Sequence, residues 1–207
     1  MKFLPGRSVG FVSRHWLNRL SLQLLQHPLR RTAKRISSRL TGSSLYQPRF
    51  SYTQVLCSWL GSYLGIATLA YLSVHTSYPL IAAPFGATAV LVFAVPDSPL
   101  AQPRNVIGGN CIGAVVCITL VHYFGTAPWV MALAVATAIK LMQLTRTLHP
   151  PGGAVALVGA MSGADWDYLF APVLAGSTII LLCTVAFNNL VAGRTYPQHW
   201  LRSDVRS

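Results

Sequence analysis

Two short segments of this sequence combine residue types suited to holding an anion. Pro84-Phe85-Gly86-Ala87-Thr88-Ala89 and His149-Pro150-Pro151-Gly152-Gly153-Ala154 each put proline and glycine at the head of an apolar run. A helix that starts at such a point exposes backbone N–H groups and the positive end of its dipole. That end is a ready anion site. Proline suits the first turn because its missing N–H would be unpaired anyway. Glycine lets a ligand come close to the backbone. A blander reading stands beside this one: proline and glycine kink membrane helices and let them pack closely. The sequence alone leaves both open.

Other polar residues gather near these segments. His149 could donate a hydrogen bond or a positive charge to an anion, or be bonded to a carbonyl at an interface. Arg146 lies one turn earlier and either guards the entrance or snorkels from a helix end. Arg104 belongs to Pro99-Leu100-Ala101-Gln102-Pro103-Arg104-Asn105, a stretch read as too proline-rich to be helical. Lys140 is placed well inside an apolar segment, where an ionisable residue counts as functional by default. Asn110, Asn188 and Asn189 could bond between helices or line a path. Asp97 is the only carboxylate near the end of a span. The candidate site is therefore Pro84, Gly86, Ala87, Thr88, Arg104, Asn110, Arg146, His149, Pro150, Pro151, Gly152 and Gly153. No nucleophile–base pair or phosphate loop is visible. The four cysteines lack CxxC spacing and the six histidines lack HxxxH spacing, so no metal site, cofactor or catalysis is expected.

The elements that must position these residues are membrane helices. The chain has 207 residues, 53% hydrophobic and 10% charged, against about 25% charged in a soluble domain. No Asp, Glu, Lys or Arg occurs over 50–96, 105–139, 147–164 or 168–193. A spanning helix needs roughly 20 apolar residues. The runs lack strict alternation, and helices satisfy their own backbone in lipid, so strands are not expected. Six segments are read: 53–73, 78–96, 105–124, 127–147, 149–163 and 170–192. The second and fifth are too short after their Pro-Gly openings to span alone.

Those two segments also resemble each other. Shifting the sequence by 67, from Pro84 to Pro151, pairs identical residues at 84, 86, 87, 89, 106, 109 and 112 without a gap. The fold expected is an all-α membrane protein of two inverted repeats of three segments, about 53–124 and 127–192, each with a Pro/Gly-initiated half-helix. Charge fits six crossings. The basic amino end, Arg104, Arg146, Arg194, Arg202 and Arg206 fall on one side, and Asp165 and Asp167 on the other. Under the positive-inside rule both termini are cytoplasmic or stroma-like.

Three regions follow. Residues 1–49 hold ten of the sixteen basic residues and no acid; they read as an interfacial helix over 13–40 on anionic lipid, a poorly ordered tail or a transit peptide. Residues 50–196 form the membrane domain, and 197–207 a cytoplasmic tail. The net charge of +12 sits beside a hydrophobic body, so nucleic acid is not the expected partner. Gly61/Gly65, Gly109/Gly113 and Gly159/Gly163 are GxxxG pairs that permit close helix contact. So small a wall suggests a homodimer.

The motifs also carry a family likeness. Pro84 to Leu91, Pro99 to Asn105 with Gly108-Gly109, Thr145 to Ala154, Asn188-Asn189 and Tyr196-Pro197 together resemble the HPP family of integral membrane proteins over about 50–200. The resemblance implies a multi-pass protein of a bacterial inner membrane or, alternatively, a plastid inner envelope. It implies transport of a small anion, nitrite in some members, and four spans in the usual description rather than six. Two other classes stay open: a membrane adaptor or assembly protein using the basic amino end, and a membrane enzyme.

Overall fold

A computed structural model describes residues 49–191 and 193–199. The expected interfacial helix over 13–40, and the tail beyond 199, lie outside the described residues. Contacts divide the chain into Met1–Arg49 and Phe50–Ser207, and the second unit holds every helix described below.

Six helices follow in order. Helix α1 is Tyr52–Thr76; Ser51 Oγ accepts from Gln54 N while Gln54 Oε1 accepts from Ser51 N, a capping box that fixes its start. Helix α2 covers Pro84–Ala94, passing from α to π geometry at Val90. After a single turn at Pro99–Ala101 comes α3, Pro103–Phe124. Helices α4, Pro128–Leu144, and α5, Pro150–Ser162, complete the middle. Helix α6 is Trp166–Leu190, kinked where Ala171 leaves helical geometry just before Pro172. Helices α2 to α5 all carry proline in their first turn, where it costs no hydrogen bond. No strand occurs among the described residues.

The helices match the six expected segments to within a few residues, with one shift. Pro103 opens α3 rather than closing a loop, so Arg104 is helical from the start. Three helices, α1, α3 and α6, are long and apolar enough to cross a membrane. Helix α5, with 13 residues, reaches about 20 Å at 1.5 Å per residue, short of the ~30 Å hydrocarbon layer. Helix α2 is shorter still.

End-to-end contacts give the directions. Ser58, near the start of α1, bonds Phe93 O at the end of α2, and Ser73, near the end of α1, takes Leu80 N just before α2. Arg104 at the start of α3 bonds Thr145 O at the end of α4. Gly159, late in α5, packs on Cys117, late in α3. Asn188, late in α6, bonds Val92 O, late in α2. Successive helices thus alternate in direction. The α2–α3 and α4–α5 connections share one face with Arg104, Arg146 and Arg194 (the Arg face). Asp165 and Asp167 lie with the α3–α4 connection at the other (the Asp face).

Packing is by small residues. Without a hydrophobic drive between helices in lipid, close van der Waals fit must hold them. Gly61 and Gly65 of α1 receive the Phe93 ring. Gly109 and Gly113 of α3 lie against Gly152, whose carbonyl oxygen is in direct contact with the place a Gly113 Cβ would take. Gly159 packs on Cys117 and Tyr168, while Gly163 caps α5 in the left-handed region at φ 66°. The expected GxxxG pairs are therefore used inside the chain. Two apolar clusters result. One joins α1, α2 and α6 around Leu69, Phe85, Phe93 and Ile180; the other joins α3, α4 and α5 around Cys117, Ala138, Met142 and Val155.

Candidate functional site

The short helices α2 and α5 meet by their first turns. His149, the residue before α5, is fully buried, and its Nε2 lies 3.2 Å from Thr88 Oγ, one turn into α2. Its Nδ1 lies 2.9 Å from Leu100 O. A carbonyl only accepts, so Nδ1 carries the proton, and in the neutral ring Thr88 donates to Nε2. Both ring nitrogens are thus engaged by the protein. An anion reaches His149 only if the Thr88 bond opens.

Several of the terminal N–H groups are also engaged or missing. Phe85 N and Gly86 N donate to Ala82 O and Ala83 O, and Gly152 N donates to His149 O. Pro84, Pro150 and Pro151 have no N–H to offer. Gly86 and Gly153 are different: a Cβ built on either meets nothing within 4 Å. Gly86 and Ala87 are exposed, and Gly153 is half-buried. The two glycines of the second opening are therefore not equivalent in role. Gly152 is a packing glycine and Gly153 an open one.

The cations lie at the Arg face. Arg104 donates to Thr145 O at 2.9 Å and Asn105 Nδ2 to Leu148 O at 2.9 Å, which pins the α4–α5 connection to the head of α3. Arg146 is exposed and sits at φ 56°. Its N–H bonds Gln143 O, and Thr147 N bonds Met142 O at 2.9 Å, the Schellman pattern in which glycine is the favoured residue. Lys140 is exposed, four residues before the end of α4 at Leu144. The sequence reading set it deep in a segment that ran to 147; the earlier helix end puts it within snorkelling reach of the Arg face.

The remaining polar residues bind helix to helix. Asn188 donates to Val92 O and accepts from Arg194, which also donates to Phe93 O at 3.0 Å. The π geometry of α2 leaves those carbonyls to be capped. Asn189 ties the Tyr196 backbone, Tyr196 Oη donates to Ala101 O at 2.7 Å, and Gln102 Oε1 accepts from Gln198 N. Asp97 accepts from Gln198 Nε2. The segment around Tyr196 thus fastens the connection that presents Leu100 O to His149. Asn110 is fully buried in α3 and donates to Ser177 Oγ of α6 at 3.0 Å. Ser177 was not among the candidates, yet the repeat register points to it: the two residues are 67 apart.

The same spacing relates other contacts. A Cβ on Gly109 would meet Thr147 O at 3.0 Å and one on Gly152 would meet Gly109 O at 2.5 Å, while one on Gly176 would meet Leu80 O at 2.5 Å and crowd Phe85. Each partner of Gly176 lies 67 before the matching partner of Gly109.

Comparisons with known proteins agree with a membrane helix bundle. A Dictyostelium discoideum protein named only as a transmembrane protein is 37% identical over 172 residues, covering 77% of this chain and 60% of its own. A second Dictyostelium transmembrane protein is 40% identical over 155 residues, covering 69% of this chain and 50% of its own. The chain thus spans about half to three-fifths of the curated relatives it matches. No solved structure matches it. The family described as HPP, transmembrane region, matches residues 47–197, a stretch that takes in all six helices and both Pro-Gly openings; this chain belongs to the HPP family of transmembrane proteins.

Proposed function

We propose that the chain moves a small inorganic anion across a membrane, as a transporter or channel, with nitrite the first substrate to test. The observation that carries the reading is the pair of short, oppositely directed helices whose first turns meet inside the bundle, each with an open glycine, Gly86 and Gly153, on its free side. Midplane sites in many transporters are built from such half-helices. The 67-residue relation between the Gly109 and Gly176 contacts supports two inverted repeats. So does the packing of the third helices across the halves: the end of α6 joins the cluster of α1 and α2, and α3 the cluster of α4 and α5, while Val106 of α3 and Val173 of α6 each enter the other cluster. The reading has all six helices crossing, with the Arg face cytoplasmic or stroma-like and Arg146 and Arg104 gathering anions there. The setting is a bacterial inner membrane or a plastid inner envelope, and the chain has no catalytic role. A homodimer interface would use residues other than the GxxxG pairs, which face inward.

Flux into proteoliposomes with nitrite, nitrate, formate, bicarbonate and chloride tests the proposal. Saturable uptake of at least one anion is expected, and no uptake above protein-free vesicles would sink it. A second reading, a membrane adaptor, is favoured by the acid-free basic stretch 1–49. Deleting 1–45 separates the two: uptake survives under the transport reading.

A further inference from the structure

Asn110 Oδ1 is the one buried side-chain oxygen or nitrogen among the described residues that has no hydrogen-bond partner. The residue is fully buried. Its Nδ2 donates to Ser177 Oγ, and Ser177, in accepting that bond, keeps its own proton uncommitted. An orphaned carbonyl oxygen in an apolar interior is unfavourable and asks for a donor. Side by side, then, the pair offers one unfilled acceptor and one unfilled donor.

The position belongs to the pathway proposed above. Gly109, next to Asn110, faces His149 at the head of α5, and Gly176, next to Ser177, faces Phe85 at the head of α2. The polar pair therefore lies beside both half-helix starts.

Its chemistry selects against a bare anion. An acceptor oxygen repels negative charge, and a desolvated anion needs a compensating cation. Arg104, Arg146, Lys140 and Arg194 belong to the Arg face, and Asp165 and Asp167 to the Asp face. On the elements packed against α3 at this depth the titratable groups are His149, engaged at both nitrogens, and Cys111 of α3 itself. A small uncharged molecule with an O–H and a second oxygen fits instead. The O–H donates to Asn110 Oδ1, and the second oxygen accepts from Ser177.

We propose that Asn110 and Ser177 form a binding position for the uncharged acid form of the transported weak-acid anion. The anion takes a proton from water on the side it enters, leaving hydroxide there, crosses this position as the acid, and releases the proton to water on the other side. The proposal rests on the transport reading.

The test uses the full chain in proteoliposomes carrying an internal pH dye, with nitrite as the probe and protein-free vesicles subtracted. The result expected is nitrite uptake matched one-for-one by internal acidification and unchanged by a potassium–valinomycin potential. Asn110→Leu and Ser177→Ala each lower that uptake on the order of tenfold or more, and Ser177→Thr retains it. Asn110→Leu keeps the wild-type melting temperature, because it removes a group that was only half satisfied; a merely structural Asn110 would lose stability. Uptake driven by potential without acidification means the amide turns its N–H groups to the anion, and overturns the proposal while leaving transport standing. So does unchanged uptake in both variants. Osmotic water flow that depends on Asn110, with nitrite uptake that does not, means the position holds only water and also overturns it. Wild-type uptake no greater than that of empty vesicles overturns transport and this proposal together.

Discussion

The neighbouring glycines Gly152 and Gly153 should respond oppositely to the same added methyl group. At Gly152 a Cβ would stand 2.5 Å from Gly109 O and 2.7 Å from Gly109 C, both backbone atoms, and 3.1 Å from Met142 Sδ. Real Cβ contacts do not come so close, so α3 and α5 must move apart. Overpacking of this kind costs about 1–3 kcal/mol, and separation would also loosen the contacts of Gly113 and Gly159 along the same seam. At Gly153 the Cβ meets nothing within 4 Å, and replacing a helical glycine by alanine stabilises by roughly 0.5–1 kcal/mol. For a chain of this size 1 kcal/mol corresponds to about 2–4 °C. Gly152→Ala should therefore melt about 2–12 °C lower than wild type and Gly153→Ala about 1–4 °C higher, read by the monodispersity of detergent-purified protein after heating. Flux adds the functional half. Gly153→Val should insert normally yet abolish nitrite uptake, because it fills the open side of α5. Equal melting shifts for the two alanine variants would refute the packing argument, and full uptake by Gly153→Val would refute the assignment of the open side to the pathway.

Further outcomes follow from individual contacts. Arg146→Gly should stabilise the protein by about 1 kcal/mol, since glycine suits the left-handed position that arginine occupies at φ 56°, while slowing anion uptake; unchanged uptake would reduce Arg146 to a helix-end residue. His149→Ala should destabilise by about 2–4 kcal/mol, because Leu100 O and Thr88 Oγ both lose a buried partner, measured by the same melting assay. Arg194→Ala should weaken the tie at the end of α2 and lower stability by about 1–3 kcal/mol, as Asn188 Oδ1 loses its donor and Phe93 O keeps only Ser58 Oγ. In a background without native cysteines, a cysteine at Ser162 should react with an impermeant reagent from outside and one at Ser98 should not; the reverse pattern would invert the membrane orientation.

Much of the helical architecture was readable because charge is excluded from lipid and proline opens helices. The charge-free runs located all six helices, and proline marked the first turn of two of them, at Pro84 and at Pro150-Pro151. The Pro-Gly openings were readable too, but not the division of labour within them. Gly152 and Gly153 look alike in sequence, and only the approach of Gly109 separates them. Arg104 was misplaced because two prolines within 99–103 suggested a loop, whereas Pro103 sits where a helix accepts it. Lys140 was misplaced by the three residues between Leu144 and Thr147, enough to move it from the interior towards a face. A carbonyl-bonded His149 was one of the two sequence readings and Thr88 was a candidate, but their meeting, and Leu100 as the source of the carbonyl, were not legible, since both are far from His149 in sequence.

The residue that most changes the picture of the site is Asn110, whose partner lies at the offset that relates the two Pro-Gly openings. Asn110 alone in an apolar helix reads as interhelical glue, and a fully bonded amide would remain so. Its bond to Ser177 spans 67 residues, the offset that relates the two Pro-Gly openings, and under the proposed two-repeat reading the contact lies where an axis relating the halves would pass. A bond at such a place cannot be satisfied symmetrically by asparagine and serine, which differ in their numbers of donors and acceptors. One acceptor is left over. Packing alone would favour removing it, because an apolar pair at this depth has no unsatisfied group to bury. Retaining asparagine there makes sense if the leftover acceptor meets a donor that comes and goes. That is why the loss of uptake in Asn110→Leu, with stability unchanged, separates a working residue from a structural one.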